Sequence, residues 1–490
     1  MENITAVLTR AETQRRVRVR QGYRERVGGP QELLPASGED EWLTRELIQA
    51  VQSALRISEP SHLLGLRHLL RFLTEEYLYR HTHTLRDSLI AQQRAAILQV
   101  PTVEETVPLW QVNARMAGER KRAARELLEQ ATTQHIRELT PRYREFWSRL
   151  NATVEELGHP HLMAFWEEVS GVRMDDFLKP LEAILRETED TYREAMDWYL
   201  LRTLGRRLSQ AKRHDVLALF RFEAVEPWFP ASDLIATIQR WLRDWGWDMA
   251  EHSNLHLERH PLLPEAAWCA PIEIPQEIRL LLAPIGGMQG AARALHQAGQ
   301  ALLLASFPAD APLELRCFPD PSLLEGQAQV CEGLVRDPLW VEIYRHVRQP
   351  AEALRLARVE RLFIVRRYIG KCLYERALYE DTLLDGKDEA YVDALRRACG
   401  FSYSDAYFLY DVEPGFASFW RLRGWLLGAY LHDRLCRQYT EEWFRQPEAL
   451  GALLELWYQS PSLTVEALVE RVGGPTLDVA PIVADLLRGL

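Results

Sequence analysis

Leu295-His296-Gln297-Ala298-Gly299-Gln300-Ala301-Leu302 is the stretch on which the reading of this chain turns. It keeps the frame of the pattern His-Glu-x-x-His, in which two side chains four residues apart share one helix face and hold a metal ion while the glutamate activates water. Here the first histidine, His296, survives; the glutamate position is Gln297 and the second histidine position is Gln300. The flanks matter as much as the motif. Upstream, residues 270 to 287 (Ala-Pro-Ile-Glu-Ile-Pro-Gln-Glu-Ile-Arg-Leu-Leu-Leu-Ala-Pro-Ile-Gly-Gly) read as two short strands punctuated by prolines, with Gly286-Gly287 opening the helix. Downstream lies Leu324-Glu325-Gly326-Gln327-Ala328-Gln329-Val330-Cys331-Glu332.

Together these stretches resemble the thimet oligopeptidase and oligoendopeptidase F family of zinc peptidases. In that family a second helix supplies the third zinc ligand within a pattern Glu-x-Pro-Ser-Gln-x-x-Glu, and Glu325, Gln329 and Glu332 match its polar positions. Gln327-Ala328 replaces the Pro-Ser. The resemblance implies a mainly α, two-lobed oligopeptidase-like fold with a deep channel and a small β-sheet beside the motif helix. It also implies a gluzincin-like site at His296, Gln300 and Glu325. A late tyrosine-rich run of the family aligns with Phe416 to Trp425, where Ala417, Phe419 and Arg421 stand at the tyrosine positions. Tyr407 and Tyr410 lie near enough in sequence to substitute.

The chemistry of hydrolysis is depleted at each of these positions. A glutamine offers zinc only a neutral carbonyl oxygen, a poorer donor than imidazole. Gln297 cannot take a proton at neutral pH, which removes a base worth on the order of 10²- to 10⁴-fold in rate. Glu332 lies outside the ligand set in the family. The expectation is a pseudopeptidase with a vestigial metal site (His296, Gln300, Glu325), no resident cofactor, and a channel that binds a peptide or a partner protein. Gln329, Glu332, Tyr407, Tyr410, Arg421 and Arg423 are the peptide-binding candidates, since arginine grips carboxylates through two parallel hydrogen bonds. The alternative is an active zinc metallopeptidase in which His256 or His260 joins His296 and Glu325. A third reading is a scaffold whose channel is filled by Trp420 and Trp425.

The remaining chain fits a helical globular protein. Its 490 residues are 47% hydrophobic with 15 tryptophans, enough for two or three lobes with ample core. Lys+Arg of 59 against Asp+Glu of 70 gives a net charge of −11, which disfavours a nucleic-acid partner. No apolar run approaches the roughly 20 residues of a membrane span, and the N-terminus lacks a secretory pattern, so a cytoplasmic location without membrane association is expected. The six scattered cysteines read as free thiols. Residues 1–38 are expected as a basic arm, solvated or loosely docked, with Arg16-Val17-Arg18-Val19-Arg20 alternating like a strand. Residues 39–205 read as a helical N-terminal lobe and 206–490 as the zincin-like lobe. His81 and His83 read as a polar helix end rather than metal ligands.

Overall fold

A computed structural model describes residues 4–27, 42–100, 106–261, 263–474 and 478–490. Within them the chain is mainly helical, with two small sheets. One is a hairpin of β1 (Ile97–Gln99) and β2 (Thr106–Pro108). The other lies beside the motif helix. Its strands are β3 (Leu255–Arg259), β4 (Ala267–Glu273) and β5 (Glu277–Leu282), in the order β3-β5-β4. β3 runs parallel to the central β5 and β4 antiparallel to it. The alternating residues before His260 and the proline-punctuated run after Ala270 thus become strands, as expected, with a cis Ile274-Pro275 peptide in the turn between β4 and β5.

Gly286 and Gly287 then open the motif helix, Gly287–Ala305. Gly287 takes φ +82, and a Cβ there would fall on the Glu226 carboxylate, so the position needs glycine twice over. The helix is apolar or small around most of its circumference (Ala291, Ala294, Leu295, Ala298, Leu302), which is the composition of a helix covered on several sides. β4 covers one side and the glutamate helix, Pro321–Gly333, another. The late helix, Ala417–Tyr439, packs on the far side of the glutamate helix. Small residues allow this close stack. A Cβ on Gly299 would come within 2.9 Å of the Ala328 Cα, and one on Gly424 within 2.7 Å of the Ser322 carbonyl. The three helices therefore approach backbone to backbone, which is what brings Glu325 and Glu332 to His296.

The apolar side chains form two large cores. The first joins helices before Leu219 to residues 359–429 and to Ile482, Val483 and Leu486. The second spans 222–357 and 427–469 and contains the motif helix. The first core crosses the sequence boundary drawn at 205/206, and the long helix Ala351–Tyr379 and the late helix each contribute to both cores.

The arginine-rich N-terminus departs from expectation. Ile4–Val27 is one helix rather than a strand or a loose arm, and the rest of that segment, 28–38, lies outside the described residues. Val7, Ala11 and Arg15, four apart, form its buried face. β4 is an edge strand with unpaired carbonyls, and Arg15 supplies the missing donors: its guanidinium donates to Pro271 O at 2.8 Å and Ile272 O at 3.3 Å. Arg18 pairs with Glu76, and Arg26 pairs with Glu265 and stacks over Trp268 at 4.1 Å. The arginine spacing that suggested a solvated face is thus largely a docking face.

His81 and His83 lie within a long helix, Pro60–Ala95, and each bonds a nearby backbone carbonyl. The cysteines are free, and all but Cys436 are buried. Among the described residues no helix is long and apolar enough to cross a membrane.

Candidate functional site

His296 sits near the middle of the motif helix and is 8% exposed. The glutamate helix presents two carboxylates to it, seven residues apart and so on one face. His296 Nδ1 lies 3.0 Å from Glu332 Oε2, and His296 Nε2 lies 3.5 Å from Glu325 Oε2. Each carboxylate is backed by an arginine. Arg336 reaches Glu332 Oε1 at 3.4 Å, one turn along the same chain segment. Arg421, from the late helix, donates Nε to Glu325 Oε1 at 3.2 Å. The result is a continuous chain of contacts, Arg336–Glu332–His296–Glu325–Arg421. Burial works against ionising Glu332, but the hydrogen bond from His296 and the charge of Arg336 hold its carboxyl well below the usual carboxylate range.

The two glutamines complete the cluster in different ways. Gln300 turns its amide nitrogen toward His296 Nε2 at 3.3 Å. Gln297 faces the sheet: its carbonyl accepts the Cys269 backbone N–H of β4 at 2.8 Å, while its amide nitrogen approaches Gln300 Oε1 at 3.4 Å. Gln297 therefore ties the motif helix to β4 instead of facing a reacting group. Glu325 Oε2 has no hydrogen-bond partner and looks only toward the imidazole.

The other expected site residues divide. Gln329 is half-buried with its carbonyl oxygen unpartnered and faces a cleft behind the glutamate helix, which Trp425 also lines. Arg423 is not in the cluster: it is 1% exposed and spent on Glu466, at 2.7 and 2.9 Å, and on Asp320. That arrangement is a buried structural ion pair with no arm free for a ligand. Tyr407 and Tyr410 lie away from the motif helix, against Glu129, Arg213 and Tyr143 of the first core. Phe419 is buried on Phe177 and Phe416, and Trp420 packs against Trp166. His256 is exposed on the edge strand β3, and His260 approaches Glu258. Among the described residues no set of three His, Cys, Asp or Glu side chains converges as a metal site.

One neighbour was not legible in the sequence. Tyr368, on the long helix, takes a hydrogen bond from the Arg421 guanidinium, which also lies over its ring at 5.3 Å. The two residues are 53 positions apart, so no local pattern joins them. A tyrosine hydroxyl thus stands beside Glu325 although the late helix carries none at the expected positions.

No protein-family model and no curated protein matches this chain. A solved structure, PZ peptidase A with inhibitor 2, superposes with a TM-score of 0.59 at 14% identity, over 97% of this chain and 85% of that one. The likeness shows the fold. The architecture is that of an oligopeptidase-like, mainly helical protein, and at this identity nothing finer follows.

Proposed function

We propose that this chain is an oligopeptidase-like protein that has given up zinc hydrolysis and binds a peptide or a segment of a partner protein in its cleft. The observation that carries the reading is Arg421 on Glu325. A catalytic zinc needs three good donors and an open position for water. His296 Nε2 and Glu325 Oε2 have a separation that two ligands of one ion could have, but the third donor would be the neutral amide of Gln300. Glu325 already has a permanent cation, and an incoming zinc would compete with that guanidinium for the carboxylate. The base position is also lost, since the Gln297 carbonyl is committed to β4. The donor set does not fit a catalytic zinc. What remains beside His296 and Glu325 is a set of polar groups, Gln300, Arg421 and its partner Tyr368, able to hydrogen-bond a peptide backbone or an acidic side chain.

Metal analysis of protein purified without chelator, with His296→Ala and Glu325→Ala beside it, tests the reading. Zinc should stay well below one equivalent even after addition of a modest excess, and fluorescence-quenched peptides should bind without being cut. Stoichiometric zinc that both substitutions abolish, together with cleavage, would overturn it.

A further inference from the structure

Behind the glutamate helix lies a cleft of about 90 Å³. The glutamate, long and late helices and the C-terminal helix Ala480–Leu487 surround it. Its apolar lining includes Trp425, Leu334 and Ile482, while Arg336, Arg358 and Arg361 also line it. Arg361 is 8% exposed, its Nε has no hydrogen-bond partner, and its guanidinium lies 4.1 Å over the Trp425 ring. Among the described residues no carboxylate comes within ion-pair distance of Arg361 or Arg358, and Arg358 donates only to the Arg488 carbonyl at 3.3 Å. The acidic groups at the rim are already engaged. Asp337 caps its helix through the Trp340 N–H, and Asp485 pairs with His432 at 3.4 Å.

An arginine cannot shed its charge to escape burial as a lysine can, so a buried guanidinium whose nearest carboxylates lie beyond ion-pair distance is held at a cost in free energy. Burial and the neighbouring Arg336 push Arg361 down to about 10 against the opposing pull of Glu332, Asp485 and Glu325, and burial lowers Arg358 against the pull of Asp337 and Asp485. A ligand that supplied the anion would recover that cost, and the planar fork of arginine matches a carboxylate in geometry. The apolar walls around Trp425 suit a hydrocarbon side chain next to that carboxylate.

We propose that this cleft is a binding site for a carboxylate carried on an apolar group, with Arg361 and Arg358 as its anion clamp and Trp425 as its floor. The carboxylate has two sources with the same chemistry: a peptide's C-terminal apolar residue, or a small free acid. The site stands whether or not His296 holds a metal. Only the peptide source draws on the function proposed above.

Calorimetric titration of the full chain distinguishes these cases. The probes are N-acetyl-leucine, N-acetyl-leucinamide, inorganic phosphate, and a short leucine-terminated peptide as free acid and as amide. The acid forms should bind at least roughly tenfold tighter than their amides, a difference that Arg361→Gln removes. Phosphate, which offers the walls nothing apolar, should bind more weakly than the acids. A peptide acid tighter than N-acetyl-leucine assigns the site to peptide C-termini, and the reverse order assigns it to free acids. Equal affinity for acid and amide, or binding by neither, overturns the proposal, as does an acid preference that survives in Arg361→Gln. Should Arg361→Gln fail to fold, Arg358→Gln is read by the same criterion. These titrations need no zinc and no cleavage, so their failure leaves the metal analysis of the main site unaffected.

Discussion

At the scale of single residues, Gln297 has a structural role of its own. A carboxylate there could accept the Cys269 N–H, but only the amide can also donate to Gln300. Gln297 is therefore a two-sided tie between sheet and helix. Gln297→Ala leaves a backbone N–H of β4 without its acceptor, and urea denaturation should show a loss of about 1–3 kcal/mol. Gln297→Glu should cost less, since it keeps the acceptor. Equal stability of Gln297→Ala and the natural protein would mean that the tie carries no load. Arg421 illustrates the opposite case, a residue whose importance its local sequence does not reveal. It stands where a tyrosine was expected, and its partners Glu325 and Tyr368 come from two other helices.

At the scale of elements, the long and late helices share a buried carboxyl. Glu375 is 1% exposed and accepts a hydrogen bond from the Ser418 hydroxyl. Burial pushes it up from 4.5 to about 7, against the opposing pull of Lys371 and Ser418. Because the folded value lies above the unfolded one, its contribution to stability is full below about pH 4.5 and is lost as pH rises through about 7. Glu375→Gln keeps the shape and removes the titration. Its unfolding free energy in urea should match the natural protein's near pH 4.5 and exceed it increasingly up to about pH 7, by an amount on the order of 1–3 kcal/mol. A difference that does not vary with pH would place the titration elsewhere. The element record also shows what patterning conveys. Strands β3 to β5 and the motif helix follow their alternation, prolines and glycines, whereas the N-terminal helix was misread because charge spacing cannot show whether a basic face meets water or carbonyls.

At the scale of the whole molecule, the two cores are bound by helices that belong to both. The first core takes Leu362, Val365, Phe416 and Phe419 from beyond residue 350 and packs them against Trp166 and Phe177 from the first half. A fragment of residues 1–205 should therefore lack a cooperative thermal transition and near-ultraviolet dichroism alone, and regain both when refolded with 206–490. Independent cooperative melting of the short fragment would show that its own apolar residues suffice.

The sequence by itself determined the mainly helical class, the small sheet and the pairing of a motif helix with a glutamate helix, because these rest on periodicity, on turn residues and on spacing within one segment. The tertiary structure alone decided which arginine meets which carboxylate. Arg421 and Arg423 are two residues apart on one helix, and that separation turns one toward Glu325 and the other into a buried pair with Glu466. Only the packed helices decide which face meets which neighbour, and the same packing lays Arg361 over Trp425 with its Nε unpartnered.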